Sequence, residues 1–136
     1  MDQLGAISKI AGSAMRVQAE RLRVVSENLA NADSTGTAPG ADPYRRKVVS
    51  FDSLLDAASG ARLVQVGAVS EDASAFRVEY DPGHPAADTE GYVKLSNVNP
   101  MIELANMREA ARSYEANLNI MEAGRKMRSQ LIDLLG

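Results

Sequence analysis

A chain of 136 residues holds one compact domain, or a small domain carrying helical extensions. Its formal net charge of -3 argues against nucleic acid as a partner, and a hydrophobic fraction of 45% excludes wholesale disorder. There is no cysteine, which excludes disulfides and thiolate metal sites.

The chain has two Phe, four Tyr and no Trp. Tyr44, Phe51, Phe76, Tyr80 and Tyr92 lie between residues 44 and 92, so a conventional packed core belongs there and the ends must pack through aliphatic residues. The opening residues Met1-Asp2-Gln3-Leu4 carry an acid where a secretory signal carries bases, and no signal-like apolar run follows. No stretch approaches the ~20 apolar residues of a membrane span. A soluble chain without a cleavable export signal is expected, with no membrane insertion.

From Asp2 to about Ala32 there is no proline. Leu4, Ala11, Met15, Gln18, Leu22, Val25, Leu29 and Ala32 recur at spacings of three and four, with Ser8 filling one gap, which predicts a helix with a near-heptad seam. A second row, Ile7, Ile10, Ala14, Val17 and Val24, runs beside it. Two adjacent rows make a face too wide for one partner helix.

Asp33 to Pro43 is rich in Asp, Ser, Thr, Gly and Pro and reads as a loop. Tyr44 to Phe51 reads as strand, Asp52 to Ser59 as a helical turn or two, and Leu63 to Val69 as strand. Ala75 to Tyr80 alternates, with Phe76, Val78 and Tyr80 on one face. Asp81-Pro82-Gly83-His84-Pro85 is a turn, and Tyr92 to Leu95 a short last strand. A second helix is predicted from Pro100, capped by Asn99 and with Glu103 in its opening turn, to Leu135. Leu104, Met107, Ala111, Tyr114, Leu118, Met121, Ile132 and Leu135 follow a heptad frame, interrupted at Arg125 and Arg128; Ile120, Met127, Leu131 and Leu134 form a parallel row.

The expected fold class is α+β: long N- and C-terminal helices forming an antiparallel coiled-coil-like pair, with a small β-rich module between them. The segments are 1–33, an N-terminal helix; 34–43, a loop; 44–96, the β-rich module; and 97–136, a C-terminal helix. Two helices with such wide faces cannot cover each other, and contiguous exposed apolar area signals partners. The faces therefore predict contacts with copies or relatives of the same chain.

Two stretches resemble a known family. Ser26-Glu27-Asn28-Leu29-Ala30-Asn31-Ala32-Asp33 is similar to the signature of bacterial flagellar axial proteins (rod, hook and hook-associated proteins), and Arg112-Ser113-Tyr114-Glu115-Ala116-Asn117 resembles their C-terminal helix. Many axial proteins continue the first motif directly into Thr-Pro-Gly-Tyr. Here it is interrupted, with Asp33-Ser34-Thr35, then Pro39-Gly40, then Asp42-Pro43-Tyr44-Arg45-Arg46-Lys47. That form, with Asp81-Pro82-Gly83-His84-Pro85 and Glu90-Gly91-Tyr92-Val93, resembles the proximal-rod branch over nearly the whole chain. The resemblance implies a structural subunit exported by the flagellar type III apparatus without signal cleavage. It implies assembly with other rod proteins and copies of itself in the basal body, across the periplasm. It also implies terminal helices that order on assembly, which agrees with faces that lack partners in a monomer. The runner-up is a cytoplasmic helical-hairpin adaptor or export chaperone using the same faces.

The expected interface residues are Leu4, Ile7, Met15, Leu22, Val25, Asn28, Leu29 and Asn31 on the first helix and its exit. On the second they are Met107, Ala111, Tyr114, Asn117, Leu118, Met121, Leu131 and Leu135. Asn28, Asn31 and Asn117 have two readings: solvated or capping amides, or buried amides that fix register between subunits. The resemblance favours the second for Asn28 and Asn117. His84 has acids nearby but no second His, so it reads as a turn residue and no metal or other cofactor is expected. No nucleophile elbow or phosphate-binding loop is present in the sequence, so no catalysis is expected. The basic runs Arg45-Arg46-Lys47 and Arg125-Lys126-Met127-Arg128 read as solvated or paired with neighbouring subunits' acids. The methionines between 101 and 127 read as adaptable packing groups.

Overall fold

In a computed structural model, which describes residues 2–136, the chain runs α1 (Asp2–Ala30), β1 (Lys47–Leu55), β2 (Arg62–Glu71), β3 (Arg77–Tyr80), β4 (Tyr92–Leu95) and α2 (Pro100–Leu135). Met1, where the expected first segment begins, lies outside the described residues. The order is helix, short strands, helix, which is α+β.

Local chemistry sets the helix ends. Asn99 Oδ1 accepts the Met101 N–H at 3.0 Å and its carbonyl accepts Glu103 N–H at 3.1 Å, so Asn99 is the N-cap and Pro100 the first helical residue. At the end of α1, Asn31 Nδ2 donates to Glu27 O at 2.9 Å, a second bond to a carbonyl that also accepts the Asn31 N–H at 3.2 Å. The chain then continues in turns rather than helix to Asp33.

The strands form two separate two-stranded sheets, β1–β2 and β3–β4. β1 extends through Leu55, where sequence had suggested a helical turn from Asp52. The turn itself is confined to residues 56–61. Asp56 Oδ2 accepts Ser59 N–H at 3.2 Å and Ser59 Oγ–H at 2.5 Å, while Asp56 N donates to Ala61 O at 2.8 Å. Gly60 there has φ +72°, a conformation that favours glycine.

In the β3–β4 sheet the register pairs Glu79 with Val93 and Tyr80 with Tyr92. Directly paired residues share a face, and Val93 is buried. Arg77 and Glu79 therefore share the face of Val93, although all four residues of β3 are exposed, Val78 and Tyr80 at 61% and 63%. The alternation places Val78 and Tyr80 on one face; which face turns inward is decided by the buried member on β4. Arg77 reaches Ser96 O (3.1 Å) and Ala32 O (2.7 Å) with its guanidinium. Tyr80 and Tyr92 pack edge to face on the outer side, centroids 5.2 Å apart.

The residues group into two compact units. One contains Met1–Leu22, Ser50–Ala68 and Arg108–Gly136; the other contains Arg23–Val49 and Val69–Met107. In the first, Ala11, Ser13, Val17 and Ala110 are buried. Ser13 Oγ donates to Ile10 O at 2.8 Å and accepts Val64 N–H at 3.2 Å, tying the strand to the helix. Lys9 and Asp56 add an ion pair at 3.0 Å. In the second, Val24, Val25, Ala32, Ala86, Val93 and Val98 are buried together with the polar residues Asn28, Ser96 and Glu103.

Candidate assembly surfaces

Within the first unit, small residues of α1 lie against α2. A Cβ built on Gly12 would meet Met121 Cε at 3.3 Å, one on Gly5 would meet Arg128 Nη2 at 3.4 Å, and one on Gly124 would lie 3.8 Å from Ser8 Oγ. Arg21 Nη2 meets Glu109 Oε2 at 3.4 Å. Gly5, Gly12 and Ala19 recur every seven residues, the spacing of one helical face. Ala19 joins Gly12, Met15, Tyr114 and Met121 around a cleft of about 270 Å³.

Beside this contact the apolar rows remain open. Ile7 and Ile10 of α1, and Ile120, Met127, Leu131, Ile132, Leu134 and Leu135 of α2, are exposed, Leu134 at 82% and Leu135 at 89%. Of the expected interface residues, Leu4, Met15, Leu22, Leu29, Met107, Tyr114, Leu118 and Met121 are half-buried, whereas Ala111, Leu131 and Leu135 are exposed. Val25 is buried in the second unit.

Asn28 is placed differently from its expected role between subunits. It is 1% exposed. Its Nδ2 donates to Lys47 O at 2.9 Å, and its Oδ1 accepts Lys47 N–H at 2.9 Å and Tyr44 Oη–H at 2.6 Å. The amide holds the start of β1 to α1 inside one chain, so it is not available to a neighbour. Burial raises the Tyr44 phenol to about 12, with the charges of Glu27 and Glu103 adding to it. Asn31 and Asn117 bond carbonyls of their own chain four residues back, Glu27 O and Ser113 O.

The first basic run is also internal. Arg45 Nη1 donates to Asp72 O and Ser74 O, both at 2.9 Å, and its guanidinium lies 4.1 Å from the centroid of the Phe76 ring. Arg46 pairs through Nε with Glu103 and through Nη1 with Asp72 at 3.2 Å. Burial acts to lower Arg46, and the Glu103 and Asp72 carboxylates outweigh it, so its pKa is raised. Hydrogen bonds from Ser74, then Arg46, hold Asp72 below the usual carboxylate range. Lys47 Nζ meets Glu27 Oε1 at 2.6 Å and lowers that carboxyl likewise. Sequence reasoning missed this site because Glu103 read as a first-turn acid complementing the helix dipole, and its partner Arg46 lies 57 residues away. His84 serves its own turn, Nδ1 accepting Ala86 N–H at 3.0 Å.

Comparison with known families gives these surfaces a context. The family described as flagella basal body rod protein matches residues 9–36, and the flagellar basal body rod FlgEFG protein C-terminal family matches residues 89–134, so the chain is of the flagellar rod class at both ends. The flagellar basal-body rod protein FlgC of Agrobacterium fabrum is 58% identical over 135 residues, covering 99% of this chain and 97% of the relative. FlgC of Salmonella typhimurium is 42% identical over 94% of this chain and 95% of its own. FlgC of Bacillus subtilis is 36% identical over 92% and 93%. The chain belongs to the flagellar basal-body rod protein family.

Proposed function

We propose that the chain is a non-catalytic structural subunit of the bacterial flagellar basal-body rod. It assembles helically with other rod proteins and with copies of itself to form the drive shaft around the export channel. The observation that carries this reading is the end-to-end match to rod proteins, joined to apolar rows on both terminal helices that the chain leaves open. In this reading the segments 1–33 and 97–136 act as axial helices pairing in an antiparallel, coiled-coil-like manner. The loop 34–43 and the strands of 44–96 form the outer part. The subunit contacts run through Leu4, Ile7, Met15, Leu22 and Leu29 on α1, with Val25 and Asn28 supporting α1 from within. On α2 they run through Met107, Ala111, Tyr114, Leu118, Met121, Leu131 and Leu135. The chain reaches the rod through the flagellar type III apparatus without signal cleavage, and crosses the periplasm there.

A deletion of the coding sequence tests this. Loss of motility, absence of hooks and recovery of the full-length chain in purified basal bodies on complementation are expected. A chain absent from basal bodies but retained in the cytosol with an export client would instead favour the adaptor reading.

A further inference from the structure

Beside the first turn of α2 lies a pocket of about 230 Å³ lined by Arg46, Asp72, Ser74, Asn97, Ile102 and Glu103. That is smaller than the ~300–1,000 Å³ of small-molecule sites, and is of the order that admits a side chain. Its lining carries one cation and two carboxylates, a formal charge of -1. Glu103 is 0% exposed. Its Oε1 is taken by Arg46, but its Oε2 is buried with no hydrogen-bond partner. A buried carboxylate oxygen left unpaired is unfavourable, and a donor that reached it would relieve that. The exposed side chain of Ile102 forms an apolar edge to the pocket, with exposed Met101 before it in the sequence.

The chain also carries a matching unpaired cation. Three of its four lysines are paired internally: Lys9 with Asp56, Lys47 with Glu27 and Lys94 with Asp42. Among the described residues Lys126 has no acidic partner. It lies beside exposed Met127 on α2, which is itself one turn before exposed Leu131. A lysine ammonium is a compact triple donor on a flexible stem, which suits a narrow pocket better than a planar guanidinium.

Resting on the rod reading above, we propose that the Glu103 pocket is a subunit contact that receives Lys126 of a second copy of this chain, with Met127 of that copy against Ile102. The two surfaces differ, so the contact is heterologous and propagates from copy to copy instead of closing a dimer.

The absence of native cysteine gives a direct test. Ile102→Cys and Met127→Cys are introduced together and singly, in chains expressed from the native locus, and basal bodies are purified and oxidised. Chain-to-chain disulfide multimers from the double variant, absent from both singles, are the expected result. Double-variant chains present in basal bodies but unlinked would overturn the contact while leaving the rod reading intact; chains absent from basal bodies in the unaltered strain would overturn the rod reading itself. A second arm replaces the charge. Lys126→Gln is expected to lower incorporation into basal bodies by about tenfold without changing the melting temperature, and Glu103→Gln with Lys126→Gln to lower it no further than Glu103→Gln alone. Full incorporation of Lys126→Gln, or additive losses in the pair, would mean that Oε2 is served by water or another donor, and would overturn the proposal.

Discussion

The side-chain amide of Asn28 pairs with the backbone of Lys47 at both ends, Nδ2 to the carbonyl and Oδ1 to the N–H, each at 2.9 Å. It does for one residue what a neighbouring strand would do, and it anchors the first residue of β1 to α1. Tyr44 Oη adds a third bond to the same amide. Asn28→Ala therefore leaves the Lys47 backbone groups and the phenol without partners in a buried position. At roughly 1–3 kcal/mol for each unsatisfied buried group, a loss of about 3 kcal/mol is expected, allowing for partial rescue by water. Urea denaturation of the purified chain measures it, and an unchanged midpoint would mean that the amide is not structural.

How far the sequence disclosed this is instructive. The axial signature containing Asn28 was legible, as were both helices, the Asn99 cap and the strands β2 to β4, because each is written in local periodicity or capping chemistry. The role of Asn28 was not. A polar residue on an apolar helix face reads equally as a register device between chains and as a clip within one, and the deciding partner lies 19 residues away. The same holds for Arg46 and Glu103, 57 residues apart. For β3 the alternation was legible but the inward face was not, because that depends on pairing with Val93 on β4, which is buried.

Tyr44 gives a pH signature. Its phenol is raised to about 12 by burial, so the folded state favours the neutral form more than the unfolded state does, near 10. The sign follows from linkage. Stability from this group is fully present below about pH 10 and is lost as pH climbs from there through 12, because ionisation removes the donor to Asn28 Oδ1. Melting temperature measured along an alkaline series is expected to fall over that window, and Tyr44→Phe to flatten the fall. An unchanged alkaline limb in the variant would assign the loss to other groups.

The open rows of α2 separate folding from assembly. Leu134 is 82% exposed and Leu131 about half exposed, so Leu131→Asp or Leu134→Asp is expected to leave the monomer's stability within about 0.5 kcal/mol. If this row meets a neighbour in the rod, as proposed, the same change buries an unpaired carboxylate there. Basal bodies purified from these strains should lack the chain, and the cells should be non-motile. Leu118, half-buried in the first unit, behaves differently: Leu118→Asp is expected to destabilise the monomer as well as to block assembly. Normal basal bodies with Leu134→Asp would remove that row from the interface.

Gly124 tests the close approach of α1 and α2 in the first unit. Glycine in a helix interior is less favourable than alanine by roughly 0.5–1 kcal/mol, through backbone entropy. The nearest atom to a Cβ added there is Ser8 Oγ at 3.8 Å, an ordinary van der Waals distance, although Gly124 is itself buried. Gly124→Ala should therefore raise the stability of the isolated chain by up to about 1 kcal/mol, seen as a higher thermal midpoint. Gly12 has less room, since its added Cβ would sit 3.3 Å from Met121 Cε. The flexible thioether can move aside, so Gly12→Ala should gain less than Gly124→Ala. A loss of stability at Gly124 would mean that the helices approach more closely than these distances allow.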